Sequence, residues 1–170
     1  MKKIGVISDT HTFLHPKLFD FFKDVDEIWH AGDFGNIETA DRLQAFKPLR
    51  GVYGNIDDTL VRRSFPQFNV FRAEEAKVVI THIGGYPEHY YDNALEIIRK
   101  EKPDIFIAGH SHILKIIYDK PNQLLFINPG AAGLHGIHHV ITFVRFTLDK
   151  TDIRDVEIFE TKKNPTNERF

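Results

Sequence analysis

The sequence predicts an α/β domain that begins with parallel strands and ends with antiparallel hairpins. Its first third alternates short apolar runs with amphipathic stretches in the order βαβαβ, a pattern typical of sheets with parallel crossover connections. Its second half consists mainly of short strand-like runs separated by turn sequences. With 170 residues, of which 42% are hydrophobic, we expect one domain over residues 1–161 and a polar C-terminal tail over residues 162–170.

Three strands and two helices account for the first part of the chain. Runs rich in β-branched and other apolar residues predict strands at 3–8, 26–31 and 48–53. Between them, Pro16 suits the first turn of a helix over 16–23. Asn36 can cap an amphipathic helix over 37–46. Each predicted helix therefore returns the chain to begin the next parallel strand.

The remaining elements are short strands, with one further helix predicted over residues 88–102. Turn sequences at 74–75, 120–123 and 149–152 predict three hairpins. The strands predicted in this part cover residues 69–73, 77–81, 104–108, 113–119, 124–127, 140–148 and 153–161. This half of the chain should therefore pair mostly in the antiparallel direction.

The composition excludes several classes of site. The chain has no cysteine but ten histidines, which excludes disulfide scaffolds, thiolate zinc sites, iron–sulfur clusters and cysteine nucleophiles. A formal net charge of −2 provides no overall positive field for nucleic acid or an anionic membrane. The N-terminus lacks the apolar core of a signal peptide, and no apolar run approaches the ~20 residues of a membrane span. We therefore expect a cytoplasmic protein without a membrane or nucleic-acid partner.

Metal-capable side chains follow six of the predicted strands, usually directly after a small residue. In sheets with parallel crossovers, ligands bind beyond the carboxyl ends of the strands. Two i, i+2 pairs stand out, since such side chains point the same way along an extended chain, about 6–7 Å apart. A pair of this kind can straddle two metals roughly 3.5–4 Å apart. The side chains are Asp9, His11, Asp33, Asn55, His82, His110, His112 and Asn128.

The donors in this set are nitrogen and oxygen only. Without Asn128, the set has two carboxylates, one amide and four imidazoles, which suit divalent manganese, iron, cobalt, nickel or zinc, whereas magnesium and calcium prefer all-oxygen shells. The six other histidines are interpreted separately. We expect His15 to be a surface or cap residue, His30 to be packed or hydrogen-bonded within its strand, and His89 to lie on the surface. The loop histidines, His135, His138 and His139, either face solvent or line a substrate pocket.

These motifs, in their order along the chain, resemble those of the calcineurin-like metallophosphoesterases. The matching segments are Asp9-Thr10-His11, Gly32-Asp33-Phe34-Gly35-Asn36, Gly54-Asn55-Ile56-Asp57, Thr81-His82 and Gly109-His110-Ser111-His112. The segment Asn128-Pro129-Gly130 resembles the block that follows in small bacterial and archaeal phosphodiesterases. The short length is similar to the compact branch that contains YfcE-like phosphodiesterases and the retromer subunit Vps29.

The resemblance implies two mixed β-sheets packed as a sandwich, with helices on both outer faces in a four-layer α/β architecture. It also implies two divalent metal ions, manganese first, with iron, nickel, cobalt or zinc as alternatives. One metal would be held by Asp9, His11, Asp33 and His112. The other would be held by Asp33, Asn55, His82 and His110, with Asp33 bridging the two.

Three positions depart from the family pattern. Ile56 stands where larger members carry a histidine thought to assist the leaving group, and Ile83 interrupts a His-Gly-His sequence common in the compact branch. Ala131 replaces a common serine. Asp57 is open to two interpretations, since it could orient a metal ligand or cap the following turn.

The hypothesis from these residues is a phosphodiesterase that hydrolyses small phosphate esters. A hydroxide bridging the two metals would attack phosphorus, and the missing imidazoles favour substrates with good leaving groups. One alternative is a Vps29-like protein-interaction scaffold with a residual metal site. Another is a phosphomonoesterase or nuclease of the same superfamily. The oligomeric state, including a homo-oligomer, is left open.

Overall fold

The computed structural model describes residues 1–163, and within that range the chain forms ten strands and four helices. The strands are β1 (Lys2–Ile7), β2 (Glu27–His30), β3 (Leu49–Gly51), β4 (Phe68–Ala73), β5 (Ala76–Thr81), β6 (Ile105–Ile107), β7 (Leu114–Asp119), β8 (Leu124–Pro129), β9 (Val140–Asp149) and β10 (Asp152–Lys162). The helices are α1 (Pro16–Phe21), α2 (Ile37–Phe46), α3 (Thr59–Ser64) and α4 (Asp92–Glu101).

The strands form two mixed five-stranded sheets. The first has the order β10-β9-β1-β2-β3, in which β1, β2 and β3 are parallel and the β9–β10 hairpin adds antiparallel strands. The second has the order β4-β5-β6-β8-β7, in which β5, β6 and β8 are parallel and both edge strands are antiparallel. Each sheet therefore sends three parallel strands toward one edge.

The two sheets pack face to face around a core of alternating strand residues. Ile4 and Val6 of the first sheet share this core with Val78 and Ile80 of the second. Residues of the opposite parity face outward, as expected for the two-residue period of a strand. Gly5, for example, leaves room for the ring of Phe22, which would lie 2.9 Å from an added Cβ atom.

Helices cover both outer faces of this sandwich. On the first sheet, residues such as Ile7 and Phe143 pack with Leu18 of α1 and Leu43 of α2. On the second sheet, Phe106 and its neighbours pack with α4. The result is a four-layer α/β/β/α arrangement, which confirms the predicted sandwich of two mixed sheets flanked by helices.

The main differences from the predicted elements concern the helices. Helix α3 was not predicted, although Asp58 caps it by accepting hydrogen bonds from the backbone N–H groups of Leu60 and Val61. Helix α4 begins at Asp92 rather than at residue 88, because Glu88 has a φ of +72°, which a helix cannot include. His89 therefore lies in the preceding turn and is exposed, as predicted for that side chain.

The predicted polar tail lies mostly outside the described residues. Lys162 ends β10, and residues 164–170 are not described. In the part of the chain that is described, none of the helices has the length and apolar character needed to cross a bilayer.

Candidate metal centre

All seven predicted metal ligands lie at the edge where the parallel strands of both sheets end. Asp9 and Asp33 follow β1 and β2, and His82 follows β5. Asn55 follows β3, and the His110–His112 segment follows β6. The strand order therefore brings together residues that lie up to 103 positions apart in sequence, such as Asp9 and His112.

The carboxylate of Asp9 is completely buried and is held by one of its two oxygens. Oδ2 accepts hydrogen bonds from the Ser8 hydroxyl at 2.7 Å and from the backbone N–H of His110 at 3.1 Å. Oδ1 instead faces three imidazoles. It lies 3.1 Å from Nε2 of His112, 3.8 Å from Nε2 of His82 and 3.9 Å from Nε2 of His11. One oxygen thus anchors the side chain, and the other is directed into the cluster.

Asp33 divides its oxygens in the same way. Oδ1 accepts a hydrogen bond from the backbone N–H of Ile56 at 3.1 Å. Oδ2 lies 3.2 Å from Nε2 of His82 and 3.5 Å from Nε2 of His11. The residue is 2% exposed, so bulk water has little access to these contacts.

Two buried imidazole nitrogens in the cluster lack a hydrogen-bond partner. Nδ1 of His82 lies 2.7 Å from the backbone oxygen of Ala31, and because a carbonyl only accepts, Nδ1 must donate. A neutral His82 then has its lone pair on Nε2, facing the carboxylates. Nε2 of His82 and Nε2 of His11 are both buried without a hydrogen-bond partner. Buried lone pairs that face one another are stabilised by a proton or a metal ion between them.

Two further predicted ligands, Asn55 and His110, lie beside His82. Nδ1 of His110 lies 3.1 Å from Oδ1 of Asn55, and its ring centroid is 5.2 Å from that of His82. Two groups of donor atoms are compact enough to hold a metal ion: Asp9, His11 and His112 form one, and Asp9, Asp33 and His82 form the other. The first group matches three residues of the first predicted metal site. The second contains Asp33 and His82 of the second predicted site, with Asp9 added.

The backbone at the centre adopts a conformation that side chains disfavour. Five of the seven predicted ligands have positive φ angles: Asp9 (54°), His11 (45°), Asp33 (58°), His110 (68°) and His112 (62°). This region is uncommon for residues other than glycine, and backbone strain of this kind concentrates at functional sites. An extended chain cannot direct these side chains toward one point, so the i, i+2 geometry predicted from the sequence is replaced by left-handed turns.

Close packing also explains two of the glycines that precede ligands. Gly32 has a φ of +96°, and an added Cβ atom would lie 2.7 Å from the His82 ring. At Gly54, an added Cβ atom would overlap the carboxylate of Asp33. The glycines at these two positions therefore permit the close approach of neighbouring loops.

Asp57 joins the two loops that carry Asp33 and Asn55. Its carboxylate accepts hydrogen bonds from the backbone N–H groups of Phe34 at 3.2 Å, Gly35 at 2.9 Å and Gly54 at 2.8 Å. The residue is 4% exposed. Of the two interpretations of Asp57, the structure therefore supports the orientation of metal-ligand loops, while Asp58 is the helix cap.

His30 joins the loops that follow β1 and β2. Nδ1 accepts a hydrogen bond from the N–H of Gly32, and Nε2 lies 3.0 Å from the Thr10 hydroxyl. Its ring is completely buried and stacks on Phe34, which confirms the predicted packed and hydrogen-bonded role. Burial lowers the pKa of His30 to about 3, so this imidazole is neutral.

His15 is confirmed as the cap of α1.

The loop between β8 and β9 places two of its three histidines beside the metal ligands. The exposed His135 stacks on His11, with ring centroids 4.8 Å apart. Nδ1 of His138 lies 3.2 Å from Nδ1 of His112. His139 is exposed. The contact of His138 with a predicted ligand could not be predicted from the sequence, because spacing within a loop does not indicate which strand end a side chain will contact.

Asn128 holds the backbone of the loop that carries His110 and His112. Its Nδ2 donates to the backbone oxygen of Gly109 and to the Ser111 hydroxyl, and its Oδ1 accepts from the N–H of Gly130. These bonds hold the segment between His110 and His112, so Asn128 orients ligands through their backbone.

A cleft of about 580 Å³ opens above the centre. In the described chain its lining contains no lysine or arginine, and three of its isoleucines are exposed: Ile56 (44%), Ile113 (64%) and Ile137 (96%). A neighbouring cavity of about 420 Å³ is bordered by Asn55 and His82 and also by Arg62. The cleft therefore combines a polar floor with an apolar rim.

The electrostatic balance of the centre favours a bound cation. Burial alone would raise the pKa of Asp9, but the hydrogen bond with His112 and the positive potential of His82 hold it below its ordinary value. Burial would likewise lower the pKa of His82, but the carboxylates of Asp33 and Asp9 raise it above its ordinary value. Among the described residues, the ion pairs of these two carboxylates are all with histidines. The nitrogen and oxygen donors, the orphaned Nε2 atoms and the buried negative charge fit a divalent transition metal.

Comparisons with known proteins agree with this architecture. The family model of the calcineurin-like phosphoesterase superfamily domain matches residues 1–151. A relative from Methanocaldococcus jannaschii named a probable metallophosphoesterase is 31% identical over 134 residues, which cover 75% of this chain and 67% of the relative.

Two solved structures share the fold along almost the whole chain. A structure described as a novel archaeal phosphodiesterase has a TM-score of 0.69 and 22% identity, covering 94% of this chain and 99% of its own. Wild-type Vps29 from Entamoeba histolytica, solved in complex with Zn²⁺, has a TM-score of 0.70 and 22% identity, covering 95% of this chain and 99% of its own.

Proposed function

The chain belongs to the calcineurin-like phosphoesterase superfamily, and from that membership we propose that it is a phosphodiesterase with a dinuclear metal centre. The proposed ligands are Asp9, His11, Asp33, Asn55, His82, His110 and His112. The observation that most strongly supports it is the convergence of Asp9 Oδ1 and Asp33 Oδ2 on the orphaned Nε2 atoms of His11 and His82. When bound, two divalent metals would supply an activated water nucleophile and would screen charge on the phosphoryl oxygens.

The chain's own residues would orient the substrate rather than react with it. The buried carboxylates, anchored by Ser8 and by the N–H groups of His110 and Ile56, set the geometry of the floor. The cleft lining contains no lysine or arginine among the described residues, so within this cleft no side chain of these two types can match the second charge of a phosphomonoester. A phosphodiester carries one negative charge, and its organic groups can contact the exposed isoleucines, Ile113 and Ile137.

The leaving group would depart without help from an imidazole acid at positions 56 and 83. Ile56 lines the cleft and Ile83 lines the adjacent cavity, and neither side chain can donate a proton. We therefore expect aryl and nucleotide esters to be hydrolysed faster than simple alkyl esters. For a series of aryl phosphodiesters, the logarithm of kcat/KM should fall steeply as the pKa of the leaving phenol rises. A slope near zero would contradict this part of the proposal.

The proposal is tested with protein treated with EDTA and then supplied with Mn²⁺. Bis(p-nitrophenyl) phosphate should be hydrolysed faster than p-nitrophenyl phosphate. The D33N variant should lose activity by at least about 100-fold, because even groups that only support metal ligands account for about 10- to 100-fold. D41N, at an exposed position of α2, is the matched control and should retain wild-type activity.

Each alternative outcome identifies a different function. Faster hydrolysis of the monoester would indicate a phosphomonoesterase, and cleavage of a single-stranded oligonucleotide would indicate a nuclease. Activity on none of these esters, with metal bound, would favour a Vps29-like protein-interaction scaffold. The proposed identity of the metal, manganese first with iron, nickel, cobalt or zinc as alternatives, is tested by repeating the assay with each ion. The cytoplasmic location and any homo-oligomer remain predictions from the sequence.

A further inference from the structure

We propose that His138 is a positioning residue that sets the tautomer of His112, so that Nε2 of His112 is available to bind a metal ion. The inference rests on the proposed function, because it takes His112 as a metal ligand. It assigns a role to a loop side chain that contacts a proposed metal ligand but is not itself a ligand.

The backbone determines which nitrogen of His138 carries hydrogen. Nε2 of His138 lies 2.8 Å from the backbone oxygen of Gly133. A carbonyl oxygen only accepts hydrogen bonds, so Nε2 must be the donor. A neutral imidazole that donates through Nε2 has its lone pair on Nδ1 and can only accept there.

That lone pair in turn determines the tautomer of His112. The Nδ1 atoms of the two rings are 3.2 Å apart. Since Nδ1 of His138 accepts, Nδ1 of His112 must donate. The remaining nitrogen of His112, Nε2, lies 3.1 Å from Oδ1 of Asp9, inside the first group of metal-capable donors. Without a metal, Nε2 of His112 also donates to the carboxylate of Asp9. Because the contact with His138 keeps hydrogen on Nδ1, the hydrogen that a metal displaces is the one on Nε2, and the lone pair of Nε2 then faces the metal position.

The chain of hydrogen bonds closes on itself. The backbone N–H of Gly133, whose carbonyl orients His138, donates to the backbone oxygen of Asp9 at 3.0 Å. The path therefore runs from Asp9 through Gly133, His138 and His112 back to the carboxylate of Asp9. The loop is also packed closely against His112, since a Cβ atom added at Gly136 would lie 2.6 Å from Nδ1 of that ring. Lys163 holds the same loop by donating to the backbone oxygen of Gly136.

His82 also needs an acceptor for its Nδ1–H, and in its case the acceptor is a backbone carbonyl. Its Nδ1 donates directly to the backbone oxygen of Ala31, which no substitution can remove. Partners of this kind fix the tautomer and ring orientation of metal-binding histidines. At His112 the partner is a side chain, so its contribution can be measured by mutation.

The experiment compares H138L, H138N and H139L as full-length proteins with zinc alone as the probe. In H138N, Oδ1 can take the place of Nδ1 as acceptor, whereas leucine offers no acceptor. His139 is an exposed neighbour of the same type and is the matched control. Zinc affinity is measured by competition with a chromophoric chelator. Nitrogen chemical shifts of the His112 ring are measured by NMR after EDTA treatment, and circular dichroism confirms that each variant is folded.

We expect H138L to lower the zinc affinity of one site by about 10- to 100-fold, and H138N and H139L to retain most of it. In the wild-type protein the nitrogen shifts should show hydrogen on Nδ1 of His112, and in H138L this preference should be lost. Equal zinc affinity in H138L and wild type, equal losses in H138L and H138N, or a wild-type His112 with hydrogen only on Nε2 would each overturn this inference alone. A wild-type protein that binds no zinc would overturn the proposed function as well.

Discussion

Removing the carboxylate of Asp57 should destabilise the protein more than removing the carboxylate next to it in sequence. Asp57 is 4% exposed and accepts three backbone hydrogen bonds, from Phe34, Gly35 and Gly54. In D57A these three N–H groups lose their partner. Each unsatisfied buried donor costs about 1–3 kcal/mol, so even the lower value gives a loss of about 3 kcal/mol. That is a large part of the roughly 5–15 kcal/mol by which a domain is stable.

D58A provides a matched control within the same turn. Asp58 is exposed and accepts two bonds as the cap of α3, and loss of such a cap costs about 1 kcal/mol. The free energies of unfolding are measured by urea titration in EDTA, using the fluorescence of Trp29, which is completely buried. D57A should lose at least about 2 kcal/mol more than D58A by these estimates. Equal losses in the two variants would refute the view that Asp57 holds the ligand loops together.

Three further predictions concern metal affinity and pH. G54A should lower zinc affinity at least about tenfold, since its Cβ atom would overlap the Asp33 carboxylate; unchanged affinity in a chelator competition would contradict this. Because the carboxylates of Asp33 and Asp9 outweigh burial and raise the pKa of His82, zinc must displace a proton from His82 at any pH below that raised pKa. Calorimetry in buffers of different ionisation enthalpy should detect that release, and affinity should fall as the pH is lowered. Finally, burial lowers the pKa of His30 to about 3, whereas an unfolded histidine titrates near 6.5. The unfolded state alone therefore takes up this proton between pH 6.5 and 5, which costs about 2 kcal/mol of stability. In H30Q, the free energy of unfolding should not show this part of the pH dependence. An unfolding free energy that changes equally between pH 6.5 and 5 in wild type and H30Q would disprove the prediction.

Most of the fold could be predicted because its strands are locally encoded. The β-branched runs of β1, β5 and β6 are apolar on both faces, as expected for strands covered on both sides, and all ten strands were predicted within two residues of their bounds. Helix α3 was missed because only Val61 of its six residues is buried, so it has little amphipathic pattern. The start of α4 was misplaced because its limit is the left-handed conformation of Glu88, which a side-chain pattern does not indicate.

The sequence by itself determined the chemistry of the candidate site. The absence of cysteine and the positions of Asp9, Asp33 and the four histidines at strand ends restricted any site to nitrogen and oxygen donors. Parallel strands bring their carboxyl ends to one edge, so the meeting of these residues could be predicted without coordinates.

Only the tertiary structure decided how those donors are oriented. The left-handed backbone at five ligands, the loops joined by Asp57 and the ring contact between His138 and His112 all depend on segments distant in sequence. A hydrogen bond between two such segments has no local signal, because its partners meet only after the sheets have packed. The same packing buries the carboxylates of Asp9 and Asp33, and that burial turns a set of polar residues into a site with a strong preference for a cation.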